Sequence, residues 1–254
     1  DVLVQGGVPQ WMTMTLLVPV GTKEEDLASV ISGVCDAAMR IGLVVVGGHT
    51  EVTDAVQKIV VCGTLLGPLQ PCLQGRVLRT GGLGAGDKLL LTKSVGLEGT
   101  SILLTDRGKQ LLSDGVFESE EALQAAKAAH PFEEVSVHVE VFALVNGVSA
   151  YVTSMHDPTE GGVANALHEM RAAANSKVAL RIRRDALPVA ADTAAICEYF
   201  KVDPLTLISS GCLLAAVNST HADAAVEAVR QAGIACSLIG EVISAETDTH
   251  HGFR

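Results

Sequence analysis

The sequence predicts a mixed α/β or α+β fold, and three observations lead there. Segments of β character alternate with amphipathic helical segments along most of the chain. Apolar residues make up 48% of the composition and aromatics only 3%, so the core has to be built from Val, Leu, Ile and Ala. Prolines and glycines gather at 67–86 and separate a shorter set of elements from a longer one. The 254 residues suffice for one large or two modest domains, and no short tandem repeat is visible.

The elements follow in order. Residues 12–18 (Met-Thr-Met-Thr-Leu-Leu-Val) alternate and then run apolar, as a strand does. Thr22 and Glu25 have the spacing of a capping box. Leu27, Val30, Ile31, Val34, Ala38 and Ile41 then recur every three or four residues, one face of a helix that Gly42 ends. Leu43–Val46 reads as a short buried strand stopping at Gly47-Gly48, and Lys58–Leu66 as another strand. Beyond the linker, strands are expected at Lys88–Thr92, Ala150–Met155, Val178–Ile182, Cys212–Val217 and Ala235–Ile239. Helices are expected at Glu120–Ala129, with Ser119 as N-cap, then at Gly161–Ala174, Ala190–Phe200 and His221–Ala232. A helical or mixed stretch runs to about Val145.

Composition excludes several functions. A net charge of −11 argues against a general binder of nucleic-acid backbones, and the scarcity of aromatics argues against a stacking platform for single strands. Neither excludes a nucleotide whose phosphates a metal ion neutralises. No apolar run approaches the roughly 20 residues that span a bilayer, and Asp1 opens the chain without a signal-peptide pattern. The six cysteines form no C-x-x-C pair and sit mostly in apolar surroundings, which points to small buried hydrophobes in a reducing cytoplasm. There is no Walker loop, G-x-G-x-x-G fingerprint, zinc spacing or nucleophile elbow.

Two stretches carry chemistry. In Val46-Gly47-Gly48-His49-Thr50-Glu51-Val52-Thr53 a buried strand gives way to glycines and then to polar side chains. Glu51 has the oxygen chemistry of a hard-cation ligand and Thr50 is placed to support it; the same residues also read as a plain turn with surface His49 and Glu51. In Met155-His156-Asp157-Pro158-Thr159-Glu160-Gly161-Gly162 a strand enters a polar turn before a helix. Thr159 or Asp157 reads as an N-cap, and Gly161 and Gly162 leave backbone N–H groups open to an anion; capping alone is the other reading. Gly82-Leu83-Gly84-Ala85-Gly86-Asp87 reads as a hairpin or linker, and Lys93 as either a phosphate contact or a solvated lysine.

Together and in this order, these stretches resemble the AIR synthase (PurM-like) superfamily. Asp1-Val-Leu-Val-Gln-Gly-Gly-Val-Pro is similar to its Asn-Asp segment, and Gly47-Gly48-His49-Thr50-Glu51 to its Gly-Gly-(Asp/Glu)-Thr stretch. Residues 155–162 resemble the His-Asp-Pro-Thr-Arg-Gly-Gly signature of the hydrogenase-maturation HypE branch. Ala186, Pro188, Asp203-Pro204-Leu205, Gly211-Cys212-Leu213 and Gly240-Glu241-Val242 resemble the HypE C-terminal domain.

The resemblance implies a PurM-like two-domain architecture. Residues 1–70 would be a truncated N-terminal domain that forms a barrel with its dimer mate, 71–86 a linker, 87–246 a C-terminal α+β domain and 247–254 a tail. It implies an ATP- and Mg²⁺-dependent cytoplasmic enzyme that activates an amide-like or small acceptor oxygen by phosphoryl transfer, in metallocentre maturation. Asp1 and Glu51 would hold the metal; Gly47, Gly48, Thr50, Gly161 and Gly162 would bind the nucleotide; Asp157, Thr159 and His49 would be catalytic. The substrate would be a small molecule or a protein-borne amide, with a homodimer and neither nucleic acid nor membrane as partner.

Four departures qualify this. The superfamily's glycine-rich start and early acidic pair have no counterpart after Asp1, His49 stands where many relatives carry an acid, and Glu160 replaces the signature arginine. The family's terminal cysteine is not matched by the His250-His251-Gly252-Phe253-Arg254 ending, so reaction on the chain's own tail is not expected. The alternatives are a binding or regulatory module that has lost catalysis, or a dimeric scaffold for a maturation partner.

Overall fold

A computed structural model describes residues 1–132, 135–175 and 178–245; the expected tail, with His250 and His251, lies outside the described residues. The chain divides into two units. The smaller comprises Val2 and Gly6–Pro71, and the larger Asp1, Leu3–Gln5 and the chain from Cys72 onward.

In the smaller unit β1 (Trp11–Pro19) is central, paired in parallel with β2 (Val44–Thr53) and antiparallel with β3 (Val60–Leu66). A parallel neighbour requires a crossover, and α1 (Glu24–Arg40) supplies it. The periodicity holds over most of the helix: Leu27, Val30, Ile31 and Val34 are half-buried and Ala38 is buried, while apart from half-buried Cys35 the residues between them are exposed; Ile41 lies past the helix end and is exposed. The capping box does not form. Lys23 is the N-cap without a side-chain bond, and the Thr22 hydroxyl donates instead to the Pro19 carbonyl at 2.8 Å.

β2 corrects a second expectation. It does not stop at Gly47-Gly48 but continues to Thr53, so the anticipated turn is extended strand. The register explains how. Met12 faces Val45 and Thr13 faces Gly47, which leaves Val46 as a bulged extra residue. Past the bulge, a Cβ on Gly48 would lie 1.8 Å from the Met14 carbonyl oxygen, so only glycine lets the two backbones approach. Leu43 is buried as expected, but Val44 and Val46 are exposed.

In the larger unit five strands run in the order β5 (Val152–His156), β7 (Leu214–Val217), β4 (Lys88–Thr92), β8 (Cys236–Ser244), β6 (Val178–Ile182), each pair antiparallel. The central strand is covered on both faces, because successive strand residues point to opposite sides. Leu90, Ala215 and Val217 pack under α4 (His138–Val148) and α7 (Ala222–Gln231). Leu89, Leu91, Leu214 and Ala216 pack under α5 (Gly162–Ala173). A third cluster joins α2 (Leu97–Ser113), α3 (Glu120–Ala129) and α6 (Ala191–Phe200) through Leu104, Leu111, Leu123 and Ile196.

Ser119 caps α3 as anticipated, its hydroxyl accepting from the Ala122 amide at 3.2 Å. The sequence reading missed α2. Its buried side contains Gly99, Thr100, Ser101 and Gly108 as well as leucines, so no apolar stripe is visible. These residues are small or polar for a reason. Gly99 abuts Leu207, and Thr100 shares a hydroxyl contact of 2.8 Å with Thr193. The 67–86 stretch is packed in part, with Leu73, Leu78 and Leu83 buried.

Gly47 and Gly48 give a direct test of backbone approach. Gly48→Ala is expected to cost about 2–4 kcal/mol in chemical denaturation. Gly47→Ala, where nothing lies within 4 Å of a built Cβ, should stay within about 0.5 kcal/mol.

Candidate functional site

The two polar stretches fold differently. In the smaller unit His49 and Glu51 are two apart on β2 and therefore share a face; His49 Nε2 lies 3.1 Å from Glu51 Oε2. Both are largely exposed, at 68% and 57%. Gly47 belongs to their face. Gly48 and Thr50 alternate to the other, so the strand does not bring Thr50 beside Glu51 as the turn reading required.

In the larger unit four segments converge on one end of the five-stranded sheet: the chain leaving β4 at Lys93, the chain leaving β5 at Asp157, the approach to β7 at Gly211-Cys212 and the start of β8 at Cys236. Asp157, Thr159, Gly161 and Gly162 lie in the turn after β5. That turn is not capped by Asp157 or Thr159. Gly161, left-handed at φ 76°, is the N-cap of α5 and no side chain serves it. Gly162 has a packing reason of its own, since a Cβ there would meet the Leu205 and Leu207 carbonyl oxygens at 2.4 and 2.5 Å.

Burial alone would raise the Asp157 carboxyl, yet it sits below its ordinary range. The neighbouring His156, its Nδ1 3.6 Å from Oδ1, leads the influences that outweigh desolvation. Asp1 is itself exposed. His156 is raised, first by the adjacent Asp157 carboxylate, then, against the opposing cost of burial, by Glu169. Glu160 is fully exposed, and its carboxyl is lowered by its own backbone amide and then by the Thr159 hydroxyl.

Two arrangements escaped the sequence reading. His156 Nε2 is 2.7 Å from Glu169 Oε2, and the Asn165 amide donates to Glu169 Oε1 at 3.1 Å. The available signal was the i, i+4 spacing of Asn165 and Glu169 beside the apolar stripe of α5. The other is Lys93, which is neither solvated nor placed to meet a phosphate. Its ammonium lies 3.0 Å from Glu140 Oε1 and donates to the Ser136 and Gly211 carbonyls at 2.6 and 2.9 Å. Its backbone is left-handed at φ 53°, uncommon for a residue with a side chain. Glu140 is fully buried, accepts also from the Thr92 hydroxyl at 3.2 Å, and its Oε2 has no hydrogen-bond partner among the described residues.

Cysteine chemistry is not offered here. Burial pushes the Cys212 thiol up to about 12 and Cys236 up to about 11, leaving both protonated at neutral pH. All six cysteines are free, and Cys62 and Cys72 are exposed rather than buried. Among the described residues no three His, Cys, Asp or Glu side chains gather as a metal site. An isolated carboxylate such as Glu51 or Asp1 suits Mg²⁺ only when phosphates and water complete its shell. Among the described residues no helix is long and apolar enough to cross a membrane.

An α-helical crossover sheet followed by a two-sided antiparallel sheet, with a polar strand segment at 47–53 in one and a polar turn after β5 in the other, defines a class. Residues 1–69 match the N-terminal domain and residues 84–252 the C-terminal domain of AIR synthase related protein, and the chain belongs to that family. Among its relatives is a hydrogenase expression/formation protein of Methanocaldococcus jannaschii, 27% identical over 252 residues, covering 99% of this chain and 68% of that protein. Another is carbamoyl dehydratase HypE of Rhizobium leguminosarum bv. viciae, 26% identical over 250 residues, covering 96% and 65%. The chain thus spans about two thirds of the length of these curated relatives. In fold it is similar to Escherichia coli HypE (TM-score 0.79, 24% identity, 96% of this chain and 71% of that one). It is also similar to a HypE structure in complex with ATP (TM-score 0.73, 22% identity, 96% and 68%).

The Lys93–Glu140 pair carries its own test. Lys93→Met strands a buried carboxylate and should cost about 3–5 kcal/mol in chemical denaturation. Lys93→Met combined with Glu140→Leu should recover most of that loss, because no unpaired charge remains.

Proposed function

We propose that this protein is an ATP-dependent enzyme of the AIR synthase and HypE type, which activates the oxygen of an amide-like acceptor by phosphoryl transfer in hydrogenase metallocentre maturation. One observation carries the reading: the Asp157 turn. It holds an ionised carboxylate beside an imidazole at the end of a rigid sheet, in a chain with relatives named carbamoyl dehydratase.

Phosphoryl transfer asks a protein chiefly for positioning and charge neutralisation. A chain of net charge −11 cannot supply the neutralisation from its own bulk charge, which favours a triphosphate arriving with Mg²⁺. In this reading Asp1 and Glu51 give oxygens to the ion. Gly47, Gly48 and Thr50 border the nucleotide, with Gly161 and Gly162 at the α5 N-terminus. Asp157, Thr159 and His49 act on the transferring group. Bound ATP would supply the phosphoryl group that makes an amide oxygen a leaving group. The acceptor is a small or protein-borne amide, and the setting is the reducing cytoplasm.

The protein also acts as a homodimer. Its three-stranded sheet leaves large apolar side chains uncovered, with Trp11 46%, Val44 56% and Leu66 58% exposed on one face and Val52 60% on the other. An apolar sheet of this size with open edge strands is a pairing surface. A binding or regulatory module is the second reading, favoured by Glu160. Its exposed carboxylate adds negative charge where the resemblance carries arginine.

Calorimetric titration with ATP and Mg²⁺ is expected to show saturable binding that EDTA abolishes. Glu51→Gln should weaken it about tenfold, and Glu160→Arg should strengthen it several-fold at low salt but not at high salt. Binding without turnover of any amide acceptor would select the regulatory module, and no binding would sink both readings. Light scattering should give twice the chain mass, and Trp11→Glu should halve it.

A further inference from the structure

Lys93 occupies a backbone position that suits glycine better than lysine. Its φ is 53°, in the left-handed region that a Cβ disfavours, at the point where the chain leaves β4. The backbone there is fixed, since the Lys93 amide donates to the Ala235 carbonyl at 2.8 Å. What a lysine adds is its ammonium, and oxygens from separate segments surround it. Glu140 Oε1 lies 3.0 Å away, and the ammonium donates to the Ser136 and Gly211 carbonyls at 2.6 and 2.9 Å. Glu140 is fully buried, whereas 13% of the Lys93 side chain is exposed. Ser136 precedes α4 and Gly211 precedes β7, both outside helix and strand, so their carbonyls are not committed to a ladder.

We propose that Lys93 is a tethered cation. Its ammonium fills an oxygen cage that, with the side chain removed, binds a free monovalent cation of the ammonium class. The cage lies within the larger unit, and Lys93, Ser136, Glu140 and Gly211 belong to neither the candidate metal set nor the candidate nucleotide set.

The chemistry of the cage selects the ion. One carboxylate balances one positive charge, and two neutral carbonyls add acceptors without adding charge. Separations of 2.6, 2.9 and 3.0 Å suit an N–H donor. They are longer than the roughly 2.0–2.1 Å that Mg²⁺ demands and the roughly 2.3–2.6 Å of Ca²⁺. Glu140 Oε2 has no hydrogen-bond partner among the described residues. A lysine ammonium carries three N–H donors, and a free ammonium ion carries one more, which the same carboxylate can accept. Ser136 is exposed, so the cage has a side open to entry. A plain buried ion pair behaves differently, because the loss of its lysine is mended only by removing the carboxylate as well.

Lys93→Gly is the variant to test, since it empties the cage and suits the left-handed backbone. Chemical denaturation is followed at constant ionic strength in choline, sodium, ammonium or methylammonium chloride. An ion that binds only the folded chain lowers the unfolding constant in proportion to its excess over Kd. Replacing about 0.5 M choline by methylammonium or ammonium should lower the unfolding constant of Lys93→Gly about tenfold. The wild type should change less than about twofold, as should Lys93→Met, whose longer side chain leaves no room for the ion. Adding Glu140→Leu to Lys93→Gly should abolish the response. The inference is overturned if Lys93→Gly responds no more than the wild type, if sodium serves as well as methylammonium, or if the response survives Glu140→Leu. Should Lys93→Gly not fold, NMR of the isotope-labelled wild type decides. A caged ammonium shields its protons from water, so the Lys93 Nζ–H signal should survive near neutral pH where exposed lysines lose theirs, and a Lys93 signal lost with the others would overturn the inference too.

Discussion

The larger unit depends on one constraint, that β4 must be buried on both faces. Leu89, Leu90 and Leu91 are all fully buried, which is possible only if helices cover the sheet from both sides. α5 covers the face of Leu89 and Leu91, and α4 and α7 cover that of Leu90. Once this sandwich closes, the strand ends cannot shift independently. Lys93, Asp157 and Gly211-Cys212 are held at one rim by the registers of β4, β5 and β7. The rim is where backbone polar groups leave the ladder and need other partners, so side chains with charge or hydroxyls accumulate there. The Thr92 hydroxyl, accepting from the Leu213 amide at 2.9 Å and donating to Glu140, is one such substitution for a strand partner.

Lys93 and Asp157 show two ways of placing charge at that rim. Lys93 is spent internally: its ammonium ties β4, the approach to α4 and the loop before β7 to a buried carboxylate. Such a lysine is an anchor and has little left to offer a ligand. Asp157 is mostly covered, with 20% of its side chain exposed, and is kept charged by neighbours rather than neutralised by a buried pair. A carboxylate that remains ionised while part of it stays open to solvent is chemically available. The anchor makes the available group's position reproducible, since Gly211, bonded to Lys93, lies in the same loop as Ser209, whose amide bonds the Thr159 carbonyl at 3.4 Å.

Much of the fold was legible because it is written in periodicity. The strand at Lys88–Thr92, the stripe of α1, and the Val163, Ala166, Leu167 and Met170 face of α5 follow from apolar spacing alone. What was not legible follows equally from physics. α2 hides its buried face behind glycine and threonine because close packing against Leu207 and a hydroxyl pair with Thr193 replace leucine contacts. β2 was cut short because its glycines read as a stop, whereas a bulge at Val46 and a near contact with Met14 keep it extended. Long-range pairs such as Lys93–Glu140 leave no local trace, since nothing in either neighbourhood names the other.

The glycines carry the last step. In sequence, Gly47-Gly48 and Gly161-Gly162 invite the same reading, of a backbone made approachable for a ligand. Their surroundings differ. Gly48 and Gly162 are required by backbone already in the fold, Met14 in one case and Leu205 and Leu207 in the other, so neither needs a ligand to explain it. Gly47 meets nothing and shares its face with His49 and Glu51. A glycine that packing does not demand, beside an imidazole and a carboxylate that face solvent, is where close approach by something outside the chain remains an explanation. The argument for a bound nucleotide is therefore stronger at Gly47 and Glu51 than at Gly48 and Gly162. In the second turn the ligand argument rests on the ionised carboxylate and the imidazole network, not on the glycines that follow.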